Sequence, residues 1–317
     1  MSQSTLRQAG PATSRPRRRG TRDATSGWVA LLWLGPALLL IGGVVVFPAV
    51  ALVKASLSEY SITGLRKGPA GLDNYRHVIE HPALGTVLRT TAIWVVAVVI
   101  LTMLISLALA QFLSKQFVGR RFVRWAIIVP WAASLIITAR LFTLLLDYYH
   151  GIANTLLVAL PFVDQPVDFL GDDRFTLASI VAVGVFVSVP FVTYVLLAGL
   201  NAIPDDVYEA ARIDGAGPWQ VYRRITLPLL APALSVSTVL SIIYVFNSFP
   251  VVYTLNDRNP GFSHDTTITW MYKLAFKSAE KDVGMSAAAG VFNVLLILAA
   301  VAVYLRVTRG ATQENQA

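Results

Sequence analysis

The sequence predicts an all-α membrane protein with six transmembrane helices, and three observations carry that prediction. The chain of 317 residues is 55% hydrophobic, with a mean hydropathy of +0.61. Only 14% of its residues are charged, against about 25% in an ordinary soluble domain. The charges are also excluded from a series of long runs, each close to or above the about 20 apolar residues that cross a bilayer. There is no cysteine, which excludes disulfides, thiolate metal sites and thiol nucleophiles. The net charge of +8 does not point to nucleic acid, because the basic residues cluster beside apolar runs, where membrane topology accounts for them.

Residues 1–27 are polar and carry six arginines, four of them in Arg15-Pro-Arg17-Arg18-Arg19. Such a segment cannot bury enough apolar surface to fold alone, so it reads as a disordered cytoplasmic tail. A twin-arginine export signal is the alternative, but the apolar run that follows is too long for one. Ala24 to Val53 holds no charge and contains the first span, 28–53, with Trp28 and Trp33 as interface anchors. A polar segment with Gly71-Leu72-Asp73-Asn74-Tyr75 follows. The second span is 90–114, ahead of Lys115, Arg120, Arg121 and Arg124. The third is 125–146, interrupted by Arg140. A loop rich in glycine and proline leads to the fourth, 175–200, with Pro190 inside it. Residues 201–228 are polar. The fifth span, 229–254, is divided by Pro232 and Pro250. A polar stretch with a short helix expected over Thr267 to Lys277 precedes the sixth span, 283–305, and 306–317 is a second tail.

Six crossings place both termini on one side. The short-loop Lys and Arg counts are 15 for the side holding the termini and 10 for the other, so the termini and residues 201–228 are expected in the cytoplasm.

The stretch from Asn201 to Leu230, NAIPDDVYEAARIDGAGPWQVYRRITLPLL, is dense in helix punctuation. Asp206-Val-Tyr-Glu209 fits a capping box. Gly215 and Gly217 supply candidate positive-φ positions, and Pro218 suits the first turn of a second helix. Pro228, at the mouth of the next apolar run, is placed to redirect the chain. An ordinary helix-turn connection would explain the caps and glycines, but not the spacing onward to Leu227-Pro228. Glu209-Ala210-Ala211, three residues, Gly215, nine residues, then Ile225, Leu227 and Pro228 resembles the EAA signature of bacterial ABC importer permeases. The longer string YEAARIDGAGPWQVYRRITLPLL is similar to the carbohydrate branch, the maltose-type permeases, and Gly71-Leu72-Asp73-Asn74-Tyr75 resembles the first of their two permeases.

That resemblance implies the type I importer permease fold within residues 28–305 and a place in a bacterial cell membrane. It implies that 201–228 is a coupling segment that docks on a separate ATPase, with Glu209, Ala210, Ala211, Asp214, Gly215, Ile225, Leu227 and Pro228 as its coupling residues. It implies partners: a second homologous permease in a heterodimer, an ABC ATPase dimer and an extracytoplasmic solute-binding protein. A sugar would be held near the midplane by the spans flanking the coupling segment.

The residues agree with a transport subunit that is not an enzyme. The chain has no Gly-Lys pair, hence no P-loop, and ATP would be bound by a partner. No cofactor, metal spacing or nucleophile-base pair is evident, and intramembrane carboxylates of the kind a proton-driven carrier uses are missing. The candidate path residues are uncharged: Ser188, Phe191 and Tyr194 before the coupling segment, then Ser241, Tyr244, Asn247 and Ser248 after it. Helical spacing puts Ser241, Tyr244 and Ser248 on one face. Hydroxyls, amides and aromatic rings suit a sugar; the same groups also bond neighbouring helices in membranes. Arg140 either lines the path or snorkels outward towards Asp147, and the second, structural role is favoured. A permease for glycerol phosphate or a polyamine is the alternative, and only Arg140 is available in the spans for a phosphate.

Overall fold

The computed structural model describes residues 24–160, 163–257, 259, 261–278 and 281–314; the N-terminal tail expected over 1–27 lies almost wholly outside them. The chain falls into two units, residues 1–51 and 52–317. In the first, α1 (Ala24–Leu40) passes through a π turn (Ile41–Val46) into α2 (Phe47–Ser56), whose residues from Leu52 onward belong to the second unit. The widening has a local cause. Pro48 lacks an amide, and its ring would press on the carbonyl four residues back. The amide just before it, Phe47, bonds instead to Gly42 O, five residues back.

The second unit begins with an antiparallel hairpin of β1 (Ser58–Tyr60) and β2 (Arg66–Pro69), then α3 (Asp73–Glu80). The long helices follow: α4 (Leu84–Ser114), the pair α5 (Arg120–Trp131) and α6 (Leu135–Leu145), the short α7 (Ile152–Ala159), then α8 (Asp173–Asn201). The polar segment forms α9 (Asp205–Ile213) and α10 (Pro218–Val221), which runs through a π turn (Tyr222–Thr226) into α11 (Leu227–Phe246). The chain ends with α12 (Phe249–Leu255), α13 (Thr267–Phe276) and α14 (Val283–Glu314).

Five of these helical stretches are long and apolar enough to cross a membrane, and α5 with α6 supplies a sixth only as a broken pair bent by 96°. The third span is therefore not the single helix the charge pattern suggested. Pro130 removes a ladder amide near the end of α5, and Ser134 is extended with ψ 137°, so the helix restarts in a new direction. The short helix expected over 267–277 is present as α13. The final helix continues past Leu305, where a tail was expected, to Glu314.

Packing centres on α4, α8 and α11, whose approach is set by small residues and by side chains that bond across helices, as expected where lipid competes equally for apolar surface. A Cβ on Gly184 would lie 2.4 Å from the Trp94 ring, and one on Gly199 would lie 2.7 Å from Ala233 Cβ. Trp94 is buried and its indole Nε1 donates to Val245 O at 3.0 Å. Ser106 Oγ donates to Val189 O at 3.1 Å.

α3, the first turn of α4, α13 and the first turns of α14 form a second core around Val78, Val87, Trp270 and Ala288. Asn74 donates to Ser56 O (2.9 Å) and Ser58 O (3.0 Å), and Tyr75 OH lies 2.7 Å from Ser56 Oγ. The string Gly71–Tyr75 thus anchors the hairpin and α3 to the end of α2. Lys273 and Asp265 form a buried ion pair at 2.7 Å, with side chains 11% and 1% exposed. Such a pair is sustained only when its remaining hydrogen-bonding capacity is filled. Here Asn256 and Thr269 donate to Asp265, and Lys273 donates to Gly261 O and Asn259 O. His81 packs edge-on against Phe262 and Trp270, and its burial lowers the imidazole pKa, favouring the neutral ring.

Candidate functional site

Two regions hold the candidate residues. The first is α9–α10 with the start of α11. Pro204 is the N-cap of α9, in an extended conformation, and no side chain caps the helix. The expected capping box at Asp206–Glu209 does not form. The extended Pro204 (φ −62°, ψ 140°) already starts the helix one residue earlier, so Asp205 and Asp206 fall in the first turn, where their charges oppose the helix dipole. The far end is closed by a Schellman motif. Gly215 takes φ +75°; its amide bonds Arg212 O at 3.1 Å and the Ala216 amide bonds Ala211 O at 3.0 Å. Gly217 does not share this geometry: at φ −69°, ψ 158° it is the extended N-cap of α10, with Pro218 at the first position.

Ala211 is buried while Glu209, Ala210, Asp214 and Gly215 are exposed. Two large apolar groups stand outward beside them, Ile213 at 87% and Trp219 at 71% exposure. Sequence reasoning missed both, because helical spacing alone does not tell an outward apolar residue from a packed one. Ile225 and Leu227 are half-buried and Pro228 is exposed. Thr226 is buried and its Oγ1 donates to Tyr208 OH at 3.4 Å, which ties α9 to the root of α11. A cleft of about 1290 Å³ opens here, lined among others by Gln111, Lys115, Arg120, Asp205, Tyr208 and Trp219.

Pro228 does not redirect the chain. Leu227 bonds Tyr222 O, five residues back, the same response to a following proline as at Phe47. The widened turn keeps α10 and α11 in one line, a helix of 29 residues from Pro218 to Phe246.

The second region is the end of α11. The helix stops at Phe246, and Asn247 and Ser248 lie in a short break before α12. Trp94 and the Ser248 amide both bond Val245 O (3.0 and 3.2 Å), and Asn247 Nδ2 donates back to Ile243 O at 2.8 Å. The break separates what the helical pattern joined. Ser241 and Ser248 are buried, with Oγ atoms that have no hydrogen-bond partner, whereas Tyr244 and Asn247 are exposed. Ser248, beyond the end of α11, therefore leaves the face on which Ser241 and Tyr244 stay three residues apart. Before α9, Ser188 is buried and donates to Gly184 O in its own helix (2.7 Å). Tyr194 OH donates to Arg124 O at 3.1 Å, joining α8 to α5. Phe191 stacks on Trp131 with centroids 6.5 Å apart. The bonds and ring contact of these three stay within α8 or reach α5.

Arg140 also has a different partner from the expected one. It lies 3.9 Å from Asp257, just beyond α12, and Lys277 approaches the same carboxylate at 3.4 Å. Asp147 instead accepts from the amides of Tyr149 and His150, closing the turn after α6.

The family model described as "Binding-protein-dependent transport system inner membrane component" matches residues 102–313. A probable ABC transporter permease protein of Brucella suis biovar 1 is 34% identical over 88% of the chain and 96% of its own length. The trehalose/maltose transport system permease protein MalF of Thermococcus litoralis is 33% identical over 91% of the chain and 95% of its own. Among solved structures, one chain of a bacterial alginate ABC transporter, crystallised with an alginate pentasaccharide-bound periplasmic protein, superimposes with a TM-score of 0.79. It is 22% identical, over 93% of this chain and 98% of that one.

Proposed function

The chain belongs to the family of binding-protein-dependent transport system inner membrane components, and from that premise we propose that it forms one half of the translocation path of an ATP-driven sugar or oligosaccharide importer. It is an ABC importer permease with several membrane-crossing helices. The sugar class rests on relatives such as the trehalose/maltose permease and on the uncharged polar and aromatic residues near the α11–α12 break. A glycerol phosphate or polyamine path is less well supported, since Arg140, the charge placed within the spans, is paired with Asp257.

The observation that carries the coupling role is the exposed α9–α10 unit continued into α11. In this reading Glu209, Ala210, Asp214, Gly215, Ile213 and Trp219 meet an ATPase subunit on the cytoplasmic side, where the basic-residue count also puts both termini. Ala211, Ile225 and Leu227 fix the unit to the bundle, and the exposed Pro228 sets the widened turn at the root of α11. The chain transmits motion and carries out no reaction; ATP and its hydrolysis belong to an ATPase dimer, with a second permease and a solute-binding protein completing the importer.

The test is uptake in cells carrying the complete system, with the double variant Glu209→Ala and Gly215→Pro. Proline fixes φ near −65°, and Gly215 needs +75°. Sugar uptake and co-purification of the ATPase are expected to fall together, at least tenfold, while membrane insertion is kept. Unchanged uptake with unchanged ATPase capture would sink the coupling role.

A further inference from the structure

Beside the break, four rings form a continuous strip. Phe249 stacks on Tyr253 (centroids 4.8 Å, interplanar 18°), both meet Tyr272 (4.9 and 5.1 Å), and Tyr272 meets Phe276 (5.0 Å). The strip spans α12 and α13 and is open rather than packed away: Phe249, Tyr253 and Tyr272 are half-buried and Phe276 is 64% exposed. One end adjoins the exposed Asn247. The other carries Lys277, whose ammonium sits 5.4 Å from the centre of the Tyr253 ring and 3.4 Å from Asp257.

Two features decide what faces this strip. The break lies within an uncharged run of 32 residues, 225–256, and a helix interrupted in such a run is tolerated beside protein or water but not lipid. The rim of the strip, Arg140, Asp257 and Lys277, is charged and well exposed, which again requires water rather than hydrocarbon. Aromatic rings opening on water next to polar groups, with phenol hydroxyls as donors and acceptors, have the chemistry to cover the C–H face of a pyranose ring while bonding its hydroxyls.

We propose that the strip Phe249–Tyr253–Tyr272–Phe276 is a carbohydrate-stacking surface, on which a sugar slides between the charged rim and the break at Asn247–Ser248. This rests on the sugar-importer reading above and adds to it a binding surface that runs from the far end of the span after the coupling segment onto α13.

The test uses the complete native system in cells and in proteoliposomes, with labelled maltose and maltotetraose as probes. Tyr253→Phe and Tyr272→Phe keep the stacking face but remove the phenol hydroxyls, and uptake is expected to fall only about two- to threefold. Tyr253→Leu and Tyr272→Leu keep apolar volume but lose the face, and uptake is expected to fall about five- to tenfold, with the ATPase still stimulated by loaded binding protein. Leucine variants that transport like wild type, or that lose the partner permease on purification, overturn the proposal; the second result would make the strip a subunit contact. A photoreactive maltotetraose on the unmodified transporter provides a measurement independent of folding. Label on the peptides of α12 and α13 supports the surface, and label confined elsewhere overturns it. A wild type that carries neither probe nor any other saccharide removes the sugar reading and the strip together. A wild type that carries them alongside fully active leucine variants removes the strip alone.

Discussion

At the scale of residues, the bundle is held by a few side chains whose neighbours leave them no freedom. Trp94 is the clearest. Its indole is fixed by Val245 O at 3.0 Å, and its ring fills the space that Gly184 leaves beside it. The ring cannot swing aside without giving up that bond, so a side chain at 184 must displace backbone. Gly184→Val is therefore expected to destabilise the protein by about 1–3 kcal/mol, the usual cost of overfilling a packed contact. Gly85→Ala, with nothing within 4 Å of the added atom, serves as control. Thermal unfolding in detergent checks this, and equal midpoints for the two variants would contradict it. The sequence shows a glycine in an apolar run but not which ring it faces, since Trp94 and Gly184 are 90 residues apart. The Asp265–Lys273 pair was hidden for the same reason: each charge reads as loop or helix surface until the fold closes around it.

At the scale of elements, charge-free runs located the long helices well, because removing charges from about 20 residues is a strong physical requirement. Breaks within those runs were less legible. The division expected at Pro250 is present, with Asn247-Ser248 as the break before α12, but its exact place and the Trp94 bond to Val245 O could not be read from the run. The expected capping box and the positive φ at Gly217 failed for local reasons, since Pro204 and Gly217 are extended and start their helices directly. The two π turns show a shared rule: the residue before Pro48 or Pro228 bonds five residues back. If the proline causes the widening, Pro228→Ala lets residue 228 donate to Arg224 O and tightens the turn into α-helix. Hydrogen exchange over residues 226–229 should then slow in the variant by about three- to tenfold. Exchange as fast as in wild type at those amides would instead assign the widening to packing.

At the scale of the whole molecule, the helical membrane fold class and five of the long apolar helices were legible in composition and charge-free runs, whereas the 96° bend between α5 and α6 and the hairpin with α3 were not. The bend depends on Ser134 adopting an extended conformation in a sequence, Ala132-Ala133-Ser134, that permits helix equally well. The candidate path residues could be listed by type from the sequence, but their partners could not be read there, since Ser188 and Tyr194 are committed to bonds inside the bundle. The absence of cysteine offers a direct test of topology. Single cysteines at Val118, Ile213 and Ile62, all well exposed, should react with an impermeant maleimide from opposite sides, 118 and 213 only from the cytoplasm and 62 only from outside. Labelling of 213 and 62 from the same side would overturn the six-crossing arrangement. The unbroken helix from Pro218 to Phe246 has a mechanical consequence. Its 29 residues make a lever arm of about 43 Å, pivoted in the bundle and ending at Asn247. Pivoted near its middle, the arm would carry each end through about 2 Å for a tilt of roughly 5°, a little under half the 4.8–5.1 Å ring spacing of the strip beside it. The widened turn at Tyr222 sits close to the driven end, so the rest of the arm turns stiffly, and small rotations there would be delivered as displacement where the helix stops.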